Sequence, residues 1–503
     1  MSKYQLIIPM SGVGQRFKDA GYKELKPFIR IDGKTVIEHI LEMYPDSSDV
    51  LFILNEADPE LELHKQTLLE LRPKSKVVCI APHKKGPGFA IWEAKDFVNR
   101  QKPVIVNYAD FSGRWDFDAF LSQLKLNDGN ILTYTGFNPH MLRSQKFAYV
   151  KTNDSGEVID IQEKSPFTAE PMGEHASAGA YGFISGEILL AAIEKQMDGD
   201  LSVNGEFYIS LTYKPLLEAG KSIAFFDMYS FNQWGTPEDL EDWIYWNREV
   251  KIALQPLLSA EARTNQNLLL LAAGKGSRIV KVSNVEKPFI SVGSKKLWQC
   301  SINTGIQYEE SILITRKALE ESFHRENFSK IIALETETSG QAASALLGLR
   351  AISNKNLPTT ILSCDNILSE VICYEFDGTE TTRLAVWVVR DYPPARLKPE
   401  SYSWVNVDDE GNVKSVHIKS APPNPENAYL VIGNFSFRTA QLAIEMCESV
   451  VGGNITVNDE HYLDSLIQIE LEGNRTVGLL VLNHFIALGT MEEFRVMKHY
   501  EAI

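Results

Sequence analysis

Two segments of the 503-residue chain, SGVGQRF at residues 11–17 and AAGKGSRI at residues 272–279, follow apolar runs and set an arginine two residues past a Gly-x-Gly. Without a Cβ, Gly12, Gly14, Gly274 and Gly276 let backbone N–H groups come close to oxygen ligands, with Ser11 at the loop entrance, and Arg16 or Arg278 can pair with phosphate. By itself Gly-x-Gly is equally a tight strand-to-helix turn. A dinucleotide fingerprint needs a third glycine where Phe17 and Ile279 stand, and a Walker A loop needs Gly-Lys-Ser/Thr, so neither motif is present. Lys26 and Lys287, each followed by proline, come after a short loop able to fold back on the same phosphates. Arg16 with Lys26 would then set two cations against a triphosphate.

Asp110 closes the apolar run PVIVNYAD, and Asp365 closes its counterpart TTILSCD. A carboxylate at the C-terminal end of a parallel strand faces the ligand crevice and suits Mg²⁺, although Asp also serves as an N-cap or turn residue. In IQEKS, Lys164 can neutralise an acceptor phosphate while Glu163 binds hydroxyls or amines; alone, the pair also reads as a solvated strand end. The second occurrence keeps the lysine as Lys419 but has Ile418 for the acid, so the lysine reads as the shared feature and Glu163 as a specificity element.

These residues recur because the whole chain recurs. LIIPMSGVGQRF returns as LLLLAAGKGSRI, PFIRIDG as PFISVGS, YVKTNDSGEVIDIQEKS as WVNVDDEGNVKSVHIKS, and WGTPEDL as LGTMEEF, always in the same order. Glu206 in VNGEFY likewise answers to Glu460 in VNDEHY. Ordered self-similarity of this kind marks duplication, and it divides the chain into a first domain at 1–250, a connector at 251–264 and a second domain at 265–503. Within the first copy, the apolar runs YQLIIPM, DVLFILN, KVVCIAP and PVIVNYAD predict strands, with helices over TVIEHILEMY, ELELHKQTLLELR and GFAIWEAKDFV between them. Two strands flank the Asn-Asp-Ser-Gly turn of residues 153–156 as a hairpin. Strands alternating with helices predict an α/β fold with a mostly parallel sheet covered on both faces.

A formal charge of −16 opposes a nucleic-acid partner, and there is no basic run to overcome it. The five cysteines have no metal-ligand spacing and suit a reducing compartment. The N-terminal apolar run is too short for a signal peptide and no stretch predicts a membrane span, so no membrane partner and a cytoplasmic location are expected. A homo-oligomer is compatible with the composition.

In this order, SGVGQRF, Lys26-Pro27, Asp110, Glu163-Lys164, SAGAYGF, Glu206 and WGTPEDL resemble the sugar-phosphate nucleotidyltransferases, over residues 1–248 and again over about 265–497. The resemblance implies two tandem Rossmann-like mixed sheets of the nucleotidyltransferase, GT-A-like type. It also implies that Gly12, Gly14 and Arg16 hold a nucleoside triphosphate, Lys26 contacts its phosphates, Asp110 binds Mg²⁺ and Lys164 holds the acceptor phosphate. HKKGPGFAIWEAK resembles the base-recognition stretch, which puts Gly86 and Gly88 near the nucleobase, with Ser339, Gly340 and Gln341 as counterparts. Glu163, Gly179 and Glu206 fall in the acceptor-binding segments. The implied reaction joins a nucleoside monophosphate to a sugar 1-phosphate or similar phosphorylated small molecule, releasing pyrophosphate, for surface-polysaccharide synthesis.

One position departs from the family pattern: a second metal-binding aspartate is replaced by Gln233, and by Ala487 in the second copy, with Asp227 or Glu206 as conceivable substitutes. The first copy is expected to be the catalytic one. The departure keeps open a non-catalytic or regulatory nucleotide-binding role, and some relatives act on non-sugar phosphates or phosphonates with a cytidine nucleotide. A glycosyltransferase is the least favoured reading, because its Asp-x-Asp place reads Ala109-Asp110-Phe111.

Overall fold

A computed structural model of the chain describes residues 3–45, 49–259, 262–302, 305–323, 325–370, 372–376 and 381–502. The side chains of Ser277, Arg278, Val282, Arg325 and Glu426 are not among those described, so the phosphate-pairing expectation for Arg278 lies outside the described residues. The chain divides into two compact units at Ile244/Tyr245, inside the helix Pro237–Ala253.

The sheet of the first unit has nine strands: β1 (Gln5–Pro9), β2 (Asp49–Asn55), β3 (Lys76–Ile80), β4 (Val104–Asn107), β5 (Gly129–Tyr134), β6 (Tyr149–Thr152), β7 (Val158–Gln162), β8 (His175–Phe183) and β9 (Ile223–Asp227). Their order is β3-β2-β1-β4-β8-β5-β9, with the β6–β7 hairpin also docked on β8. The four strands β3, β2, β1 and β4 run parallel; β8 is antiparallel to β4 and β5. Leu6, Ile7 and Ile8 are all fully buried, which consecutive residues achieve only when both sheet faces are covered. Ile7, Leu51 and Val104 pack with Ala90 and Ile91 of the helix Gly86–Glu93 and with Leu189 and Ile193 of the helix Gly186–Asp198.

In the second unit the sheet strands are β10 (Asn267–Ala272), β11 (Glu310–Arg316), β12 (Lys330–Leu334), β13 (Thr359–Ser363), β14 (Thr382–Val389), β15 (Ser403–Val407), β16 (Val413–His417), β17 (Ala428–Phe437) and β18 (Thr476–Leu482). Their order is β12-β11-β10-β13-β17-β14-β18, with β15 on β17 and β16 on β15, the same topology strand for strand. The chain is therefore two tandem α/β folds with mixed, largely parallel sheets.

Three local differences from the sequence reading bear on the site. Asp110 is not a strand residue: β4 stops at Asn107, whose side chain accepts from Tyr44 Oη and donates to the Tyr108 carbonyl, drawing the chain out of the ladder into a turn. The helix expected over GFAIWEAKDFV stops at Glu93, where Ala94 N–H bonds both Ala90 and Ile91 carbonyls and the turn tightens into the 3₁₀ segment Lys95–Phe97. The expected connector begins while the helix Pro237–Ala253 is still running, and Ala262–Arg263 then pairs with Ile306–Gln307.

Candidate active site

The glycine loop leaves β1 and enters the short helix Gln15–Asp19 through Gly14, whose φ of 64° and ψ of 33° are left-handed. Nothing lies within 4 Å of where a Cβ would sit on Gly12 or Gly14. The N–H groups of Gly12, Val13, Gly14 and Gln15 donate to no described residue, so they are free to receive anionic oxygens. Asn55 at the end of β2 fixes the loop by donating to the Ser11 carbonyl at 3.0 Å, and Ser11 Oγ lies 3.4 Å from His83 Nε2 at the start of the expected base stretch. Burial pushes the His83 imidazole below its ordinary pKa.

Lys26 opens a 3₁₀ turn, Lys26–Phe28, and its ammonium donates to Asp110 Oδ2 at 3.1 Å. Two residues 84 positions apart thus meet at the C-terminal edge of β1 and β4, with both side chains less than one-third exposed. No described residue donates to Asp110 Oδ1. The strand Ser230–Gln233 pairs antiparallel with Phe111–Arg114, and Trp234 N–H donates to the Asp110 carbonyl, so Gln233 and Gly235 border the carboxylate. A Cβ on Gly235 would stand 2.5 Å from Gln233 Nε2 and 3.9 Å from Asp110 Oδ2.

A second cluster of side chains is built on the end of the hairpin. Glu163 and Lys164 follow β7, and Lys164 has a φ of 60°. Among the described residues eleven non-glycine positions have positive φ; nine are Asn or Asp, and the other two are Lys164 and Lys419. Asn and Asp tolerate this region through local hydrogen bonds, whereas lysine has no such relief, so these two positions carry backbone strain. The Lys164 ammonium donates to Tyr208 Oη and stands 4.4 Å from that ring's centroid. Ser210 Oγ donates to Glu163 Oε2 at 2.5 Å, and burial, outweighing this bond and the Lys164 charge, raises the Glu163 carboxyl above its ordinary pKa.

One loop ties residues 85–88 to the end of the hairpin. Gly88 N–H donates to the Phe207 carbonyl and Phe207 N–H to the Lys85 carbonyl, both at 2.8 Å. A Cβ would stand 2.9 Å from Phe207 N at Gly86 and 2.8 Å from Phe207 O at Gly88, so glycine is required for the backbones to meet. Ile209 N–H donates to Tyr108 Oη at 3.0 Å, and Gln196 Nε2 to the Tyr208 carbonyl at 2.9 Å. Gly179, with φ 101°, lies in the bulge of β8, and a Cβ there would stand 3.3 Å from the rings of Phe111 and Tyr108. Glu206 forms an isolated bridge with Val203 in the same loop. Sequence reasoning missed Tyr208, Ser210, Phe207 and His83; the recurrence of Tyr208 as Tyr462 was the available signal.

The second copy repeats the frame with different contacts. Gly276 is left-handed (φ 56°), a Cβ on it would press on Lys287 at 2.8 Å, and nothing lies within 4 Å of a Cβ on Gly274. Lys287 Nζ donates to Asp365 Oδ2 at 2.8 Å, and Ser363 Oγ donates to Asp365 Oδ1 at 2.5 Å, so both carboxylate oxygens are taken. Burial alone would raise the Asp365 carboxyl, but the Lys287 charge and these hydrogen bonds hold it below its ordinary pKa. Lys275 pairs with Glu337 at 2.9 Å, and His461 clasps Ser339 and Ala342 as Phe207 clasps its partners.

Residues 6–244 and 267–452, together most of the chain, match the nucleotidyl transferase family. The chain belongs to the nucleotidyl transferase family. It is 25% identical over 218 residues to the bifunctional protein GlmU of Methanocaldococcus jannaschii, an alignment covering 43% of this chain and 47% of that protein. The chain thus spans about half the length of this curated relative. Among solved structures, it is similar to a nucleoside-diphosphate-sugar pyrophosphorylase from Vibrio cholerae (22% identity, TM-score 0.41, 48% of this chain and 99% of that chain). It is also similar to the inositol-1-phosphate CTP transferase from T. maritima (13% identity, TM-score 0.37, 47% and 91%).

For a nucleotidyl transferase, the donor set admits a divalent cation in a restricted way. Mg²⁺ is commonly held by one or two carboxylates with substrate phosphates and water supplying the rest, and Asp110 offers one carboxylate oxygen with no donor on it. Asp227 is occupied elsewhere, accepting from Thr133 Oγ1 at 2.6 Å and lying 3.1 Å from His175 Nδ1. Among the described residues no group of three or more His, Cys, Asp or Glu could hold a metal, and no helix is long and apolar enough to cross a membrane.

Proposed function

We propose that the first copy transfers the nucleoside monophosphate of a nucleoside triphosphate to the phosphate of a sugar 1-phosphate, releasing pyrophosphate and forming an activated nucleotide sugar of the kind that polysaccharide assembly consumes. An acceptor phosphate oxygen attacks the α-phosphorus in line. A P–O bond forms there as the bond to the β-phosphate oxygen breaks, and the electron pair leaves with pyrophosphate. The free N–H groups of Gly12 to Gln15 and the Arg16 guanidinium bind the triphosphate. Lys26, drawn from Asp110 by the arriving phosphates, offsets charge on the leaving group, and Lys164 holds the acceptor phosphate between the Tyr208 ring and the hairpin. Glu163, fixed by Ser210, receives acceptor hydroxyls. When bound, Mg²⁺ on Asp110 would neutralise phosphate charge. Positioning and electrostatics carry such a transfer, because two anions must be brought together against their mutual repulsion.

The observation that supports this reading best is the Lys26–Asp110 pair beside a glycine loop whose N–H groups no described residue engages. The contrast with Asp365, both of whose oxygens are bonded internally, favours catalysis in the first copy and nucleotide binding without turnover in the second. Asp110→Ala is expected to lower pyrophosphate release by about 100-fold or more, while Asp365→Ala retains it. Loss of all turnover from Asp365→Ala alone would overturn the assignment to the first copy.

A further inference from the structure

By sequence, the second copy has lost the acid beside its acceptor-type lysine, since Ile418 replaces Glu163. The structure returns a carboxylate to the same place from the opposite side. In the first copy the acid is on the hairpin and the hydroxyl on the facing loop: Ser210 donates to Glu163. The second copy has Asp464 on the loop, where Ser210 stands, and Ser403 at the start of β15, where the first copy has Ala148. Ser403 Oγ donates to Asp464 Oδ2 at 2.5 Å. Acid and hydroxyl have exchanged sides across one gap.

Three further observations separate this arrangement from an ordinary buried clasp. Lys419 holds the same left-handed backbone (φ 47°) as Lys164, a conformation no other lysine among the described residues adopts. Its ammonium lies 5.6 Å from the Tyr462 ring centroid, farther than Lys164 from Tyr208, and donates to the Ser401 carbonyl at 3.2 Å, while its backbone N–H meets Ser403 Oγ at 3.4 Å. Asp464 is only 5% exposed, yet its Oδ1 has no donor among the described residues and keeps contact with solvent. A carboxylate oxygen of a largely buried side chain, reached from the solvent side and standing beside a left-handed lysine, is open to a ligand's hydroxyl donors.

We propose that the second copy holds its own site for a small phosphorylated polyhydroxy compound, with Lys419 taking the phosphate and Asp464 the hydroxyls. The inference rests on the acceptor reading of Lys164. Tyr462 and Asp464 lie beyond the span over which the second copy matches the family.

The test is titration calorimetry of the full chain with glucose 1-phosphate, mannose 1-phosphate, N-acetylglucosamine 1-phosphate, inositol 1-phosphate and glycerol 3-phosphate, with circular dichroism confirming that each variant is folded. In a Lys164→Ala background at least one of these compounds should bind once per chain. Lys419→Met or Asp464→Asn should then weaken that binding about tenfold or more, as expected for loss of a charged hydrogen-bonding partner. Combining Asp464→Ser with Ile418→Glu, which rebuilds the first-copy arrangement, should recover most of it. Absence of binding in the Lys164→Ala background, or binding that Asp464→Asn leaves unchanged, overturns the proposal. If Lys164→Ala abolishes all binding seen in the unmodified chain, the proposal fails while the acceptor reading of the first copy stands. If Lys164→Ala changes nothing and Lys419→Met removes all binding, the first-copy reading fails instead.

Discussion

At the scale of single residues, glycines of the same type carry different duties. Gly12 and Gly14 have open space at the Cβ position, while Gly88 meets Phe207 O at 2.8 Å. Gly12→Ala is therefore expected to leave the denaturation midpoint nearly unchanged yet weaken triphosphate binding, because the added methyl occupies the approach to the cradle. Gly88→Ala should destabilise the fold by about 1–3 kcal/mol, in line with overpacking. Equal losses of stability in urea titrations of the two variants would contradict this division. The pairing of Lys26 with Asp110 belongs to the same scale: each residue was legible as a phosphate or metal ligand, but that they neutralise one another in the resting site was not, since 84 positions separate them.

At the scale of elements, the hairpin β6–β7 and the loop of residues 203–210 form the proposed acceptor side, and the geometry at the hairpin's end sets the lysine. A left-handed lysine costs roughly 1 kcal/mol relative to glycine in that region. Lys164→Gly is accordingly expected to stabilise the protein by about that amount while raising the acceptor KM steeply and leaving the triphosphate KM close to its original value. A Lys164→Gly variant that is both destabilised and unchanged in acceptor KM would remove the argument from strain. The hairpin itself was legible from its alternation and its Asn-Asp-Ser-Gly turn, because strand periodicity and turn chemistry are local. The left-handed φ of Lys164 was not, because nothing in Glu-Lys-Ser demands it; tertiary contacts with Tyr208 hold it.

At the scale of the whole chain, the connecting helix Pro237–Ala253 is shared between the two compact units. Within the second unit, Tyr245 Oη donates to the Phe485 carbonyl, the buried Glu249 accepts from Phe485 N–H at 3.1 Å, and Lys295 Nζ donates to the Ala253 carbonyl at 2.6 Å. A fragment of residues 254–502 would strip the Lys295 ammonium of one of its two carbonyl acceptors, leaving only Gln255, and would leave the Phe485 N–H without its carboxylate, whereas 237–502 keeps both. The shorter fragment should unfold at a markedly lower temperature or fail to remain in solution. Equal melting temperatures for the two fragments would place the functional boundary at the connector read from composition.

By itself the sequence determined the duplication, the α/β class with its strand order of motifs, and the residue types able to meet a triphosphate and an acceptor phosphate. These follow from hydrophobic periodicity, glycine placement and recurrence, all of which are properties of short segments. Only the tertiary structure decided that both oxygens of Asp365 are bonded while Asp110 keeps one open, and that Asp464 meets Ser403 across the gap beside Lys419. Such pairings depend on strand register and on which loops the sheet brings face to face, and residues far apart in the chain carry no local signal of meeting.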